Sequence, residues 1–191
     1  MKKVFLLMVC AASLATASAQ TKFGVKAGAN FANFAGDVED NKMKIGINAG
    51  AFAKFHFTEA ISLQPELVFS TQGAKFEEGN VEAKFNFNYL NIPILFQYNT
   101  VSGFFAETGP QVGFLMSAKA KGDGGSVDVK DGFKSTDFSW AIGAGFLTKS
   151  NFGVNARFNL GLANIAEDSG DEKVKNSVIQ VGVFYVFGGA K

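Results

Sequence analysis

The chain is short of the residues from which most active sites are built. Among 191 residues there is one cysteine, Cys10, and one histidine, His56. Cys10 falls in the leader described below, so disulfides and thiolate chemistry are excluded from the mature chain. A lone histidine cannot assemble a metal centre without cysteine. No serine and carboxylate accompany His56 in the grouping that a lipid-side acyl-chain enzyme needs. No phosphate-cradling glycine motif is present. Net charge is +1 and no basic run occurs, so nothing favours nucleic acid. Beyond the leader, no apolar stretch is long enough for a transmembrane helix, and a chain like this could cross a bilayer only as a closed barrel. No catalytic residue, cofactor or metal site is expected.

What is abundant is glycine and phenylalanine, 22 of each against three prolines. That composition suits a fold needing tiny and large side chains at alternating places. The first residues, MKKVFLLMVCAASLATASAQ, run from Lys2 and Lys3 through an apolar segment to Ala17-Ser18-Ala19. This is the order of a cleaved secretory signal, with cleavage expected after Ala19. The apolar segment is too short for a membrane anchor. No small-residue lipobox precedes Cys10, so lipidation is not expected. The organisation is therefore a signal peptide over 1–19 and one domain over 20–191.

The run FGVNARFNLGLANI (152–165) shows the pattern most plainly. Phe152, Val154, Ala156, Phe158, Leu160 and Leu162 alternate with Gly153, Asn155, Arg157, Asn159 and Gly161. A two-residue period puts these sets on opposite faces of one strand. Eight such segments can be read: Lys22–Phe31, Met43–Phe57, Ile61–Thr71, about Glu82–Tyr98, Gly103–Lys119, Ser135–Leu147, the run from Phe152, and Asn176–Phe187. The fourth loses phase near Tyr89, which suggests a bulge beside Pro93. Ala120–Lys134 reads as the longest loop, polar and glycine-rich. Long and short connections alternate, the rhythm of an eight-stranded antiparallel up-and-down barrel.

Alternation alone does not separate a secreted ligand-carrying barrel from a membrane barrel. Volume does. An eight-stranded interior has room only for a modest filling of side chains. Packing every Phe, Ile and Leu of the apolar face inward would overfill it, whereas glycine beside long charged chains fits. The apolar face is therefore expected in lipid. Aromatics gather towards both ends: Phe23, Phe57, Phe104, Phe152, Tyr185 and Phe187 near the short turns, and Phe31, Phe69, Phe114, Phe138 and Trp140 towards the long loops. Two such belts mark two membrane interfaces.

The polar face carries one constellation. Counted from the short turns, Lys26, Glu66, Glu107 and Arg157 stand at similar heights, and Lys54 and His56 approach the same layer. Charges in a narrow lumen must pair, because an isolated one costs several kcal/mol. Arg157 is expected to bond Glu66, Glu107 or both, with Lys26 and Lys54 nearby. This lumen charge network reads either as a plug that locks the barrel or as a gate for protons or small ions. The acidic residues Asp37, Glu39, Asp40, Glu167, Asp168, Asp171 and Glu172 fit no calcium-loop spacing and read as solvated loop charge.

The segments LQPELVFSTQGAKF (63–76), YLNIPILFQY (89–98), ETGPQVGFL (107–115), AIGAGF (141–146) and ARFNLGLANI (156–165) resemble the bacteroidete outer-membrane β-barrel family, often labelled porin-like or PorT-like. The resemblance spans essentially the whole mature chain. It implies a cell-outer-membrane barrel with both termini in the periplasm and long loops outside the cell. It also implies handling by the barrel-insertion machinery. Such barrels usually end on an aromatic, whereas here Gly188-Gly189-Ala190-Lys191 follow Phe187. The expected role is structural or surface-interacting, through the long loops, by a monomer in outer-membrane lipid with an extracellular or periplasmic protein partner. The alternative is a narrow transport or secretion-accessory barrel.

Overall fold

The computed structural model describes residues 21–38, 41–78, 81–122, 124–167 and 172–187. The expected signal segment with Cys10, and Gly188–Lys191, lie outside the described residues. The strands are β1 (Thr21–Gly36), β2 (Asn41–His56), β3 (Ile61–Gln72), β4 (Ala74–Glu78), β5 (Val81–Asn99), β6 (Phe104–Gly122), β7 (Gly125–Asp128), β8 (Thr136–Leu147), β9 (Phe152–Gly161) and β10 (Val174–Phe187). Antiparallel pairing runs β1–β2–β3–β5–β6–β8–β9–β10 and returns to β1, a closed eight-stranded barrel. β1 and β10 close the ring from Phe23↔Phe187 to Gly36↔Val174. β4 continues β3 beyond Gly73, and β7 folds back on the end of β6.

Inward and outward positions follow the two-residue period. Phe23, Ile45, Ile47, Leu67, Phe96, Ile142 and Val183 are exposed on the outer wall, while Asn30, Glu66, Gln97, Glu107 and Arg157 are buried inside. The outer wall is apolar because lipid covers it; the inner wall is polar because its groups satisfy each other.

Three features differ from the pattern read in the sequence. The loop expected over 120–134 is instead the hairpin of β6 with β7, followed by a short 3-10 turn at Lys130–Gly132. The bulge lies on β6 rather than beside Pro93: Asn88 pairs Ser117 and Tyr89 pairs Leu115, so Met116 is the extra residue. Phase in β5 is unbroken, since Phe87, Tyr89, Asn91, Leu95 and Gln97 are all buried. What changes at Tyr89 is the surroundings. Towards Tyr98 the outer face meets lipid and is apolar. Towards Lys84 it meets water, and the aromatics move inside.

The short turns are tight. The backbone N–H groups of Thr100 and Thr148 donate to Phe104 O and Phe152 O, both at 2.8 Å. Each threonine hydroxyl also lies beside a serine two residues on, Ser102 at 2.8 Å and Ser150 at 2.9 Å. The closing position needs positive φ, filled by Gly103 (φ 97°) in one turn and Asn151 (φ 66°) in the other.

One stretch of wall lacks its backbone ladder. Between the pairs Asn48↔Ser70 and Met43↔Ala74, β2 and β3–β4 have no paired positions. Side chains fill in: Ile47 N–H donates to Thr71 Oγ1 at 2.7 Å, and Asn30 Nδ2 donates to Thr71 O at 2.9 Å.

Candidate functional site

Charged side chains converge in the lumen, which is built in layers. Nearest the short turns is an aromatic floor. Phe52, Phe105 and Phe184 point inward, and each is directly paired across the ladder with a glycine: Gly24, Gly145 and Gly153 respectively. A Cβ at those glycines would stand 2.2, 2.4 and 2.0 Å from the facing ring. Each ring thus lies over bare backbone, and Phe184 meets Phe52 and Phe105 at centroid distances of 6.0 and 5.8 Å.

Above the floor lies the charged layer. Arg157 Nη1 and Nη2 donate to the two oxygens of Glu66, both at 2.9 Å, and Arg157 Nε donates to Glu107 Oε1 at 2.8 Å. Lys26 Nζ donates to Glu66 Oε2 at 3.1 Å. Amides complete the carboxylates: Gln64 Nε2 donates to Glu66 at 2.8 Å and Gln97 Nε2 to Glu107 at 2.9 Å. β1, β3, β6 and β9 each contribute one charged residue, so the layer spans the barrel. Two cations face two carboxylates, and the layer is neutral. Such bidentate, amide-supported geometry is what a buried ion network needs to offset its desolvation. Lys54 is not brought into it. One inward position nearer the short turns than Phe52, it donates to Asn99 Oδ1 at 2.7 Å and sits 5.4 Å from the Phe105 ring centroid. The floor, absent from any charge count, separates it from Arg157. His56 pairs Ser62 across β2–β3 near the same rim.

The remaining cavity among Lys26, Phe52, Gln64, Glu107, Asn155, Arg157 and Phe184 is about 10 Å³. That is room for one water at most. Further from the short turns come inward amides and hydroxyls, including Asn30, Asn48, Ser70, Gln72, Gln111 and Ser139. An apolar roof follows, made by Phe34, Phe87, Tyr89, Leu115 and Ile165 with Phe76, Phe85 and Phe133 packed against it. Phe87 and Phe133 rings approach to 4.6 Å. The roof escaped the sequence reading. Its signal was the alternation of Phe85, Phe87 and Tyr89 with Lys84, Asn86 and Asn88, which reverses the polarity seen lower on the same strand.

At the long-loop rim, Asp37 is engaged by protein: its carboxylate accepts the Lys173 N–H at 2.9 Å, tying the first long connection to the last. Glu39, Asp40, Asp168 and Asp171 lie outside the described residues. Among the described residues, no group of three or more His, Cys, Asp or Glu is placed to hold a metal.

Comparison with known proteins agrees with this architecture. The chain resembles Ail, the attachment invasion locus protein of Yersinia pestis, at 18% identity and a TM-score of 0.54, over 88% of this chain and 99% of Ail. It also resembles Neisserial surface protein A at 12% identity and a TM-score of 0.57, over 85% of this chain and 96% of that one. At these identities the likeness is one of fold. No curated protein matches by sequence. Residues 16–167 match the family described as outer membrane protein beta-barrel domain. The chain belongs to that family of outer-membrane β-barrels.

Proposed function

We propose that this barrel is a non-conducting, non-enzymatic outer-membrane protein with a structural or surface-interaction role, exercised through its long-loop rim. The observation that carries this reading is the Arg157 bridge to Glu66 and Glu107, with about 10 Å³ of space left beside it. A diffusion pore needs a continuous aqueous path, and the aromatic floor, the ion layer and the roof each interrupt one. The lumen charge network of Arg157, Glu66, Glu107 and Lys26 acts as a plug that fixes strand register, and Lys54 caps the floor below it. The signal peptide is removed after Ala19, the short turns and both termini face the periplasm, and the mature monomer is inserted by the barrel-assembly machinery.

The test is planar-bilayer conductance of the refolded mature barrel. Silence is expected. Steady open-channel currents would replace this reading by the second one, a narrow transport or PorT-like secretion-accessory barrel of the bacteroidete type. The feature favouring that second reading is the run of inward amides and hydroxyls between Asn30 and Ser139, a polar lining that lipid-facing strands do not require for stability.

A further inference from the structure

We propose that the lumen holds one small, hard, monovalent cation on Asp137, between the Arg157 layer and the aromatic roof. Asp137, the second residue of β8, points inward and is only 8% exposed. Register sets Asn91, Gly113 and Asp137 side by side across β5, β6 and β8. Gly113 contributes no side chain, and its neighbours occupy the place of one. Asn91 Oδ1, Tyr89 Cδ1 and Asp137 Cβ lie 2.7, 3.3 and 3.6 Å from where a Gly113 Cβ would stand. On the other flank, Asn176 Nδ2 lies 3.4 Å from Asp137 Oδ2, and Asn176 backbone packs over Gly161, a second position without a side chain. Two glycines therefore let polar neighbours close in around one buried carboxylate, Asn91 Oδ1 against Gly113 and the Asn176 backbone against Gly161.

Asn176 Nδ2 donates to Asp137 Oδ2 and to Gln72 Oε1, but several other polar atoms there lack a protein partner. Asp137 Oδ1, Asn176 Oδ1, Tyr89 Oη and Asn91 Nδ2 have no hydrogen-bond partner, nor does either amide atom of Asn159, one inward position below Gly161 on β9. No lysine or arginine among the described residues pairs with Asp137. Lys44, also buried, donates instead to the Gln72 carbonyl at 3.2 Å. The Arg157 layer is already neutral and has no cation to spare. An uncompensated carboxylate walled off from water costs several kcal/mol, so groups of this kind are neutralised or paired. The free acceptors are a carboxylate, amide oxygens and a phenol oxygen, the donor set of a hard cation. One negative charge among neutral oxygens selects a monovalent ion. The spare Asn91 and Asn159 N–H groups suit water held beside it.

The ion layer lies on one side of Asp137 and the roof on the other, and a cation held between them enters as the barrel closes. The test therefore varies the salt during refolding. The mature chain is refolded from denaturant into detergent micelles with sodium, potassium, calcium or N-methyl-D-glucamine chloride at equal ionic strength. Each sample is then moved into the glucamine salt, and Tm is read. Refolding in sodium or potassium is expected to raise Tm by roughly 5 °C over the bulky cation, with the gain retained after exchange. Asp137→Asn is expected to remove the dependence and to fold equally well in glucamine. Equal Tm in all four salts overturns the proposal, as does a dependence that survives in Asp137→Asn, or one confined to calcium. Native mass spectrometry of the unmodified protein gives an independent reading. One retained sodium per barrel is expected after refolding in sodium, and none would overturn the assignment.

Discussion

Arg157 grips both oxygens of Glu66 across the barrel, although 91 residues separate the two in sequence. A fork-on-fork contact of this kind constrains direction as well as distance, so it links β9 to β3 through the lumen. Arg157→Met leaves Glu66 and Glu107 buried without their main partner. The expected loss is about 3–5 kcal/mol, read as guanidinium unfolding in detergent. Adding Glu66→Leu and Glu107→Leu should recover most of it. Unchanged stability of the single variant would refute the plug.

The floor makes a second expectation. A Cβ at Gly153 would stand 2.0 Å from Phe184 Cζ, so Gly153→Val must displace the ring. Overpacking of this sort costs about 1–3 kcal/mol. Combining it with Phe184→Leu should cost less than the sum of the two single changes, a coupling that a double-mutant cycle measures.

Two-residue parity carries the wall almost completely, because lipid outside and close packing inside punish a slip of one position on every strand. Parity also puts Arg157, Glu66, Glu107 and Lys26 on the inner wall. It does not encode what stands between inward side chains, and that is why Lys54 ends on the far side of the Phe105 ring. Nor does it mark the point where a strand leaves the bilayer. Beyond that point water replaces lipid and the apolar residues turn inward, so Lys84, Asn86 and Asn88 take the outward positions of β5 and the strand reads as losing phase near Tyr89. The unbroken apolar run Phe114-Leu115-Met116 hides the β6 bulge for the same reason: with no polar residue in it, either phase is possible.

Trp140, the single tryptophan, lies partly exposed on the outer wall and donates its indole N–H to Thr108 Oγ1 at 2.9 Å. In lipid vesicles its emission should be blue-shifted and strongly quenched by lipids brominated near the headgroup. Quenching by aqueous iodide instead would remove Trp140 from the membrane interface.

The two matching short turns differ at the position with positive φ, Gly103 in one and Asn151 in the other. Asn151→Gly should leave stability within about 0.5 kcal/mol of the original. Asn151→Val should cost about 1–2 kcal/mol, since a branched Cβ resists the left-handed region. Equal midpoints for the two variants in urea would contradict the turn geometry.

The break in the ladder between β2 and β3–β4, held by Thr71 and Asn30, has a consequence for motion. Cooperative rows of amide bonds distribute strain along a strand, and a patch of isolated side-chain links cannot. Deuterium should therefore reach the Ile47 amide before those of Ala49 or Ala51 on the same strand, and Thr71→Val should widen that gap. If the cylinder ever parts sideways, this is where the tear begins.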